Sequence, residues 1–207
     1  ISVLVRNLVG VGDEVLVLTT SPDATAEDAR PLFEDVTGVR LSVMLWDNVE
    51  SHAETSPSAN RYANIACFRD LQSIVQSGAE LRRLLDLVTR LLVPGGFFFG
   101  TVTDSAAIWT LAQKEIEVRE SQKRRGYMHT DDIRLQRRLF ELRLPKGEIF
   151  RPIGSPCEIR YRNADPSARR SSEFLLHFAT LVDAAREVGL RVVEADNLRE
   201  LWDHHRK

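Results

Sequence analysis

Apolar positions come in short continuous runs in the first half of the chain and at helical spacing between them. Glu14 to Leu18 is a β-branched run, read as a strand buried on both faces. Gly10 to Asp13 reads as the turn before it, and Thr19 to Asp23 as a polar loop after it. Ala24 to Asp35 is expected to be helical, with Gly38 as its stop signal, and Val39 to Leu45 is a second buried strand ending in Trp46-Asp47-Asn48. Val49 to Arg61 is rich in Ser, Thr and Pro and predicts a loop. Tyr62 to Phe68 predicts a third strand. Leu81, Leu84, Leu85, Val88, Leu91 and Leu92 recur at helical spacing, Pro94-Gly95-Gly96 makes a tight turn, and Phe97 to Val102 is a fourth strand. Strands alternating with helices imply a parallel α/β sheet.

The second half has a different texture. Ala106 to Glu120 predicts a helix, and Ser121 to Arg138 is polar and basic. Leu139 to Leu144 and Glu158 to Tyr161 read as short strands around two turn signals, Pro145-Lys146-Gly147 and Pro152-Ile153-Gly154. Ser172 to Val188 predicts an amphipathic helix capped by Gly189, and Leu190 to Val193 a last strand. The whole chain, residues 1–207, is expected to form one α/β domain with a mostly parallel sheet flanked by helices, an abridged N-terminal half and a small antiparallel insertion in the second half. Ile1 stands where no initiator Met or basic-then-apolar leader is seen, and is expected to be an internal point of a longer chain.

Composition narrows the chemistry by exclusion. Hydrophobic residues make up 43% and charged residues 28%, which suits a packed domain. No run is apolar enough to span a bilayer. The net charge of -2 argues against a surface that binds nucleic acid everywhere, but 24 Arg against 4 Lys favours planar, bidentate contacts. Base composition of the coding sequence produces the same bias. Cys67 and Cys157 stand far apart, with no zinc or disulfide spacing, and the five His form no metal motif. No Ser-His-Asp pattern and no phosphate-gripping Walker loop is present.

The most specific stretch is Leu91-Leu92-Val93-Pro94-Gly95-Gly96-Phe97-Phe98-Phe99-Gly100-Thr101, followed by Asp104. It resembles the messenger-RNA cap guanine-N7 methyltransferases, whose pattern there is close to L-x-P-G-G-x-F-I-G-T. The resemblance extends from about Tyr62 to Trp202. It takes in Ile65 to Phe68, the strands around Ile153-Gly154, and Ser172-Glu173-Phe174-Leu175, which is similar to the family's Pro-Glu-Tyr-Leu element opening a helix. It implies a Rossmann-like methyltransferase fold, S-adenosylmethionine as the family's cofactor, and methyl transfer achieved mainly by positioning.

Several parts that the resemblance implies are altered. The turn after the first strand, Thr19 to Asp23, has no glycine, and Pro22 lacks an N–H; Gly10 and Gly12 precede the strand instead. Asp47 stands where an acid accepts from the ribose hydroxyls, or is an ordinary turn-capping Asp. About a dozen residues separate Asp47 from Tyr62, too few for a helix, a strand and their loops. The family's guanine-stacking His-Tyr pair falls, counted from Phe68, on Leu71-Gln72. Glu173 is retained and reads either as the acceptor for the guanine amine edge or as a helix-start cap. Trp202 stands near the family's late aromatic, as substitute or core residue. Phe68, Glu173 and Trp202 are therefore the cap-side candidates.

Lys123, Arg124, Arg125, Tyr127, Arg137 and Arg138 are candidate RNA contacts, with Tyr127 available to stack, although Glu117, Glu120, Asp131 and Asp132 dilute the field. The expectation is a cap-methyltransferase-like domain without catalytic residues, cofactor or metal, acting inside the cell with RNA or protein subunits of a ribonucleoprotein complex. The alternative is an active S-adenosylmethionine-dependent cap guanine-N7 methyltransferase.

Overall fold

The structure, a computed structural model, describes residues 9, 13–33, 38–55, 62–68, 70–125, 132–138, 140–145, 150–161, 171–198 and 200. The turn glycines Gly10 and Gly12, Tyr127 and Trp202 lie outside them.

Four parallel strands form the first sheet, in the order β2-β1-β3-β4. They are β1 (Glu14–Thr19), β2 (Arg40–Leu45), β3 (Tyr62–Cys67) and β4 (Leu92–Gly100). Continuous apolar runs suit these strands because both faces are covered. Leu16, Leu18, Ile65 and Cys67 point into one core, while Val15, Val17, Ala66 and Phe99 point into the other. The chain passes from β1 to β2 on one side, then crosses over β1 to place β3 on the other. Among the described residues no strand lies outside β2.

Where a loop was expected after β2, helix α2 (Trp46–Thr55) begins at once. Trp46 and Val49 are buried and Ala53 packs with them, an i, i+3, i+7 stripe that polar composition masks. The Ser51 and Thr55 hydroxyls donate back to the carbonyls of Asn48 and Ser51, at 3.0 and 2.7 Å, so their polarity is absorbed within the helix. The helix expected over 24–35 is a single turn, α1 (Ala26–Ala29), capped by Thr25 and Asp28 in a reciprocal box. Beyond it the chain tightens at Pro31 into a short 3-10 segment, Arg30–Leu32.

Helix α3 (Leu71–Ile74) and helix α4 (Gly78–Leu91) connect β3 to β4. Six apolar side chains of α4 are buried, each worth roughly 1.5–3 kcal/mol. Pro94-Gly95-Gly96 bulges out of the ladder between Leu92 and Phe97, with Gly95 at φ +81°.

Helix α5 (Ser105–Arg124) leads to an antiparallel sheet in the order β5-β6-β7-β8. Its strands are β5 (Ile133–Gln136), β6 (Phe140–Leu144), β7 (Ile153–Tyr161) and β8 (Ser171–Leu176). Leu135, Leu142, Ile159, Cys157 and Leu175 face Ile108 and Ala112 of α5 to make a third core. The start of the expected Ser172–Val188 helix is strand β8, because its residues pair with β7 from Ile153 to Ile159. Helix α6 (Phe178–Glu187) comes next and packs on α4. Leu190 to Val193, expected as a strand, joins neither sheet, and the Leu190 N–H donates to the Ala185 carbonyl at 3.0 Å.

Candidate functional site

In an open α/β sheet, ligands bind outside the carboxyl ends of the strands where strand order reverses. Here that point lies between β1 and β3. The residues leaving those strands are Thr19 to Asp23 and Phe68 to Leu71.

The turn after β1 uses its polar groups on itself and on its neighbour. The Ser21 N–H donates to Thr19 Oγ1 at 3.0 Å, and the Ala24 N–H donates to the Ser21 carbonyl at 3.3 Å. The Thr20 hydroxyl donates to Asp70 Oδ1 at 2.7 Å, across the reversal point. Asp70 opens α3 with its carbonyl, which accepts from Ser73 and Ile74, while its carboxylate makes no cap. That leaves the carboxylate for Thr20.

Beside it, Leu71 and Gln72 are buried. Gln72 Oε1 accepts from the Thr103 N–H at 3.0 Å and from the Thr103 hydroxyl at 2.6 Å. A backbone N–H can only donate, so Thr103 decides which end of the amide is the acceptor. Gln72 Nε2 is then buried without a partner among the described residues. The position that would carry a guanine-stacking ring instead ties the segment after β3 to the segment after β4.

Two glycines hold this region together. Gly100 ends β4, and a Cβ there would run into the Cys67 carbonyl. Gly154, at φ +83°, lies against the Gln76 carbonyl where β7 meets the start of α4. Burial pushes the Cys67 thiol up, with the Asp70 charge adding to it, so Cys67 is a core residue and no nucleophile.

The sequence candidates are scattered. Asp47 lies in the first turn of α2, exposed, two residues beyond the end of β2. Phe68 packs edge-on against Phe33 and Phe99, with centroids 6.3 and 5.8 Å away. Glu173 is buried in β8 opposite Cys157 and accepts from the Ser171 hydroxyl at 2.9 Å. It sits in mid-strand, five residues before the start of α6, so the helix-cap reading does not hold. Lys123 and Arg124 end α5, Arg125 follows as its C-cap, and Arg137 and Arg138 come directly after β5, all exposed. Among the described residues no group of His, Cys, Asp and Glu could hold a metal, and no helix is long and apolar enough to cross a membrane. No local motif marks the bond between Thr20 and Asp70, fifty residues apart, or the one between Gln72 and Thr103, thirty-one apart.

No protein-family model matches the chain. Over 148 residues it is 32% identical to the mRNA cap guanine-N(7) methyltransferase 2 of Arabidopsis thaliana, covering 69% of this chain and 39% of that protein. Over about two-thirds of its length the chain is thus similar to an mRNA cap guanine-N7 methyltransferase. The cap guanine-N7 methyltransferase 2 of Oryza sativa subsp. japonica is 30% identical over 142 residues, covering 69% of this chain and 40% of its own. The chain thus spans about two-fifths of the length of these cap methyltransferases. The CcbJ methyltransferase of Streptomyces caelestis superposes with a TM-score of 0.54 at 15% identity, over 93% of this chain and 78% of its own. The chain therefore has a Rossmann-like methyltransferase fold, with an antiparallel sheet beside the parallel one.

Proposed function

We propose that this protein is a cap guanine-N7 methyltransferase-like domain that binds RNA, or a protein subunit of an RNA-processing complex, inside the cell, and does not transfer a methyl group. The observation that carries the reading is the Thr20–Asp70 bond across the reversal point, in a turn with no glycine. A cradle for S-adenosylmethionine needs backbone that can come close to the ligand and free N–H groups aimed at it. Here the Ser21 N–H is engaged by Thr19 and Pro22 has none. The residues present do not fit that cofactor.

The cap side supports the same reading. Leu71 is core, Gln72 is spent on Thr103, and Glu173 lies inside the second sheet with Ser171. The exposed Lys123, Arg124, Arg125, Arg137 and Arg138 remain for the phosphate backbone. Calorimetric titration with S-adenosylhomocysteine tests the first half; no heat is expected, and micromolar binding overturns it.

A second reading, an active enzyme, is favoured by the 32% identity to a named methyltransferase. Transfer of labelled methyl from S-adenosylmethionine to unmethylated capped RNA, with the full-length protein, establishes it.

A further inference from the structure

Among the described residues the outer edge of the antiparallel sheet is open, and β5 pairs with β6 alone. The Arg137 N–H donates to the Phe140 carbonyl at 2.9 Å. Antiparallel pairs alternate, so Ile133, Leu135 and Arg137 turn their backbone groups to β6, while Arg134 and Gln136 turn theirs outward. Guanidinium groups hold two outward carbonyls: Asp132 O accepts from Arg119 Nη1 at 3.2 Å, and Gln136 O from Arg137 Nη1 at 2.8 Å. The N–H groups of Arg134 and Gln136 and the Arg134 carbonyl have no partner among the described residues.

A hollow of about 380 Å³ runs along this edge between α5 and β5, with Leu111, Lys114 and Val118 on its helix side. Val118 is 50% exposed, so the hollow holds a wet apolar strip of Leu111 and Val118 among charged neighbours. The nearby acids are engaged. Glu115 pairs with Arg119 at 3.0 Å, and Asp132 and Glu158 pair with Arg143 at 2.6 and 3.3 Å. Lys114 and Arg134 have no acidic partner among the described residues.

We infer that this edge takes an extended peptide as a fifth strand, one that alternates apolar and acidic side chains. Leu135 points toward α5 and Arg134 away from it, so an added strand meets the strip of Leu111 and Val118 on one face and a cation on the other. Its main chain would bond to the free groups of Arg134 and Gln136, displacing the exposed Arg137 guanidinium from the Gln136 carbonyl. Free N–H and C=O groups at strand spacing favour a peptide over a nucleic acid, whose phosphates offer acceptors but no donors. The inference is independent of whether methyl transfer occurs.

The test is fluorescence anisotropy on the whole chain with a labelled octapeptide of alternating Val and Glu. Parallel probes are the same peptide N-methylated at alternate residues on its pairing edge, and a ten-nucleotide uridine RNA. Saturable binding of the first peptide is expected, weakened about tenfold by Arg134→Glu and lost on N-methylation. A circular dichroism melt of Arg134→Glu establishes that the variant is folded. No binding by the plain peptide, equal binding of the N-methylated one, or displacement of the peptide by the RNA overturns the inference.

Discussion

The Thr20 hydroxyl and the Asp70 carboxylate, fifty residues apart in the chain, meet at 2.7 Å over the carboxyl ends of β1 and β3. The bond lies where an open α/β sheet receives its ligand. It exists because a turn without glycine keeps its hydroxyls near the sheet, and because the Asp70 carboxylate makes no helix cap. Thr20→Ala is expected to cost about 0.5–1.5 kcal/mol, the net worth of one exposed hydrogen bond, as read from the urea midpoint. An unchanged midpoint would mean the bond contributes nothing measurable.

Gln72→Leu removes the acceptor for both donors of Thr103 and leaves that backbone N–H without a partner. A loss of roughly 1–3 kcal/mol is expected, measured by equilibrium unfolding. Hydrogen exchange at the Thr103 amide reports the same event locally, and should accelerate.

The glycines separate backbone strain from close approach. Gly95 has φ +81° with open space around it, so Gly95→Ala should cost about 1–2 kcal/mol. Gly154 has φ +83° and also faces the Gln76 carbonyl, so Gly154→Ala should cost clearly more. Thermal unfolding of the two variants side by side decides; equal losses would contradict the contact.

The two thiols are buried and free. Burial pushes Cys157 up to about 12, from an ordinary value of 9.0, with the Glu173 charge adding to it, and Cys67 shifts the same way. A raised folded pKa means that the stability tied to the neutral thiols is complete below pH 9 and is lost as pH rises through the folded value. Unfolding midpoints should fall between pH 9 and 11, by about 1.4 kcal/mol per thiol per pH unit. Cys157→Ala should reduce that slope, and neither thiol should react with a thiol reagent at pH 8 before unfolding.

RNA binding by the end of α5 predicts a salt signature. Replacing Arg124 and Arg125 by Ala should weaken capped RNA and uncapped RNA alike. Each lost phosphate contact should reduce the slope of log K against log salt by about 0.7. A variant with an unchanged slope would move the RNA path elsewhere.

Local sequence determined the central strands and the long helix. Val15 to Leu18 and Ile65 to Cys67 are apolar at every position, which suits only a strand covered on both faces. Leu81, Leu84, Leu85 and Val88 share one face of any helix they form. The stretch from Leu91 to Thr101 carried the cap-methyltransferase resemblance, which the comparison with two plant proteins upholds. Helix α2 and strand β8 were not legible. The stripe of Trp46, Val49 and Ala53 is sparse, and β8 becomes a strand because β7 lies beside it. The candidate site was legible as absences, in a turn without glycine and a lost aromatic pair. The bonds that stand in their place, Thr20 on Asp70 and Gln72 on Thr103, only tertiary structure decided. Periodicity records which face of an element is buried; it carries no record of which distant group a hydroxyl or an amide will reach.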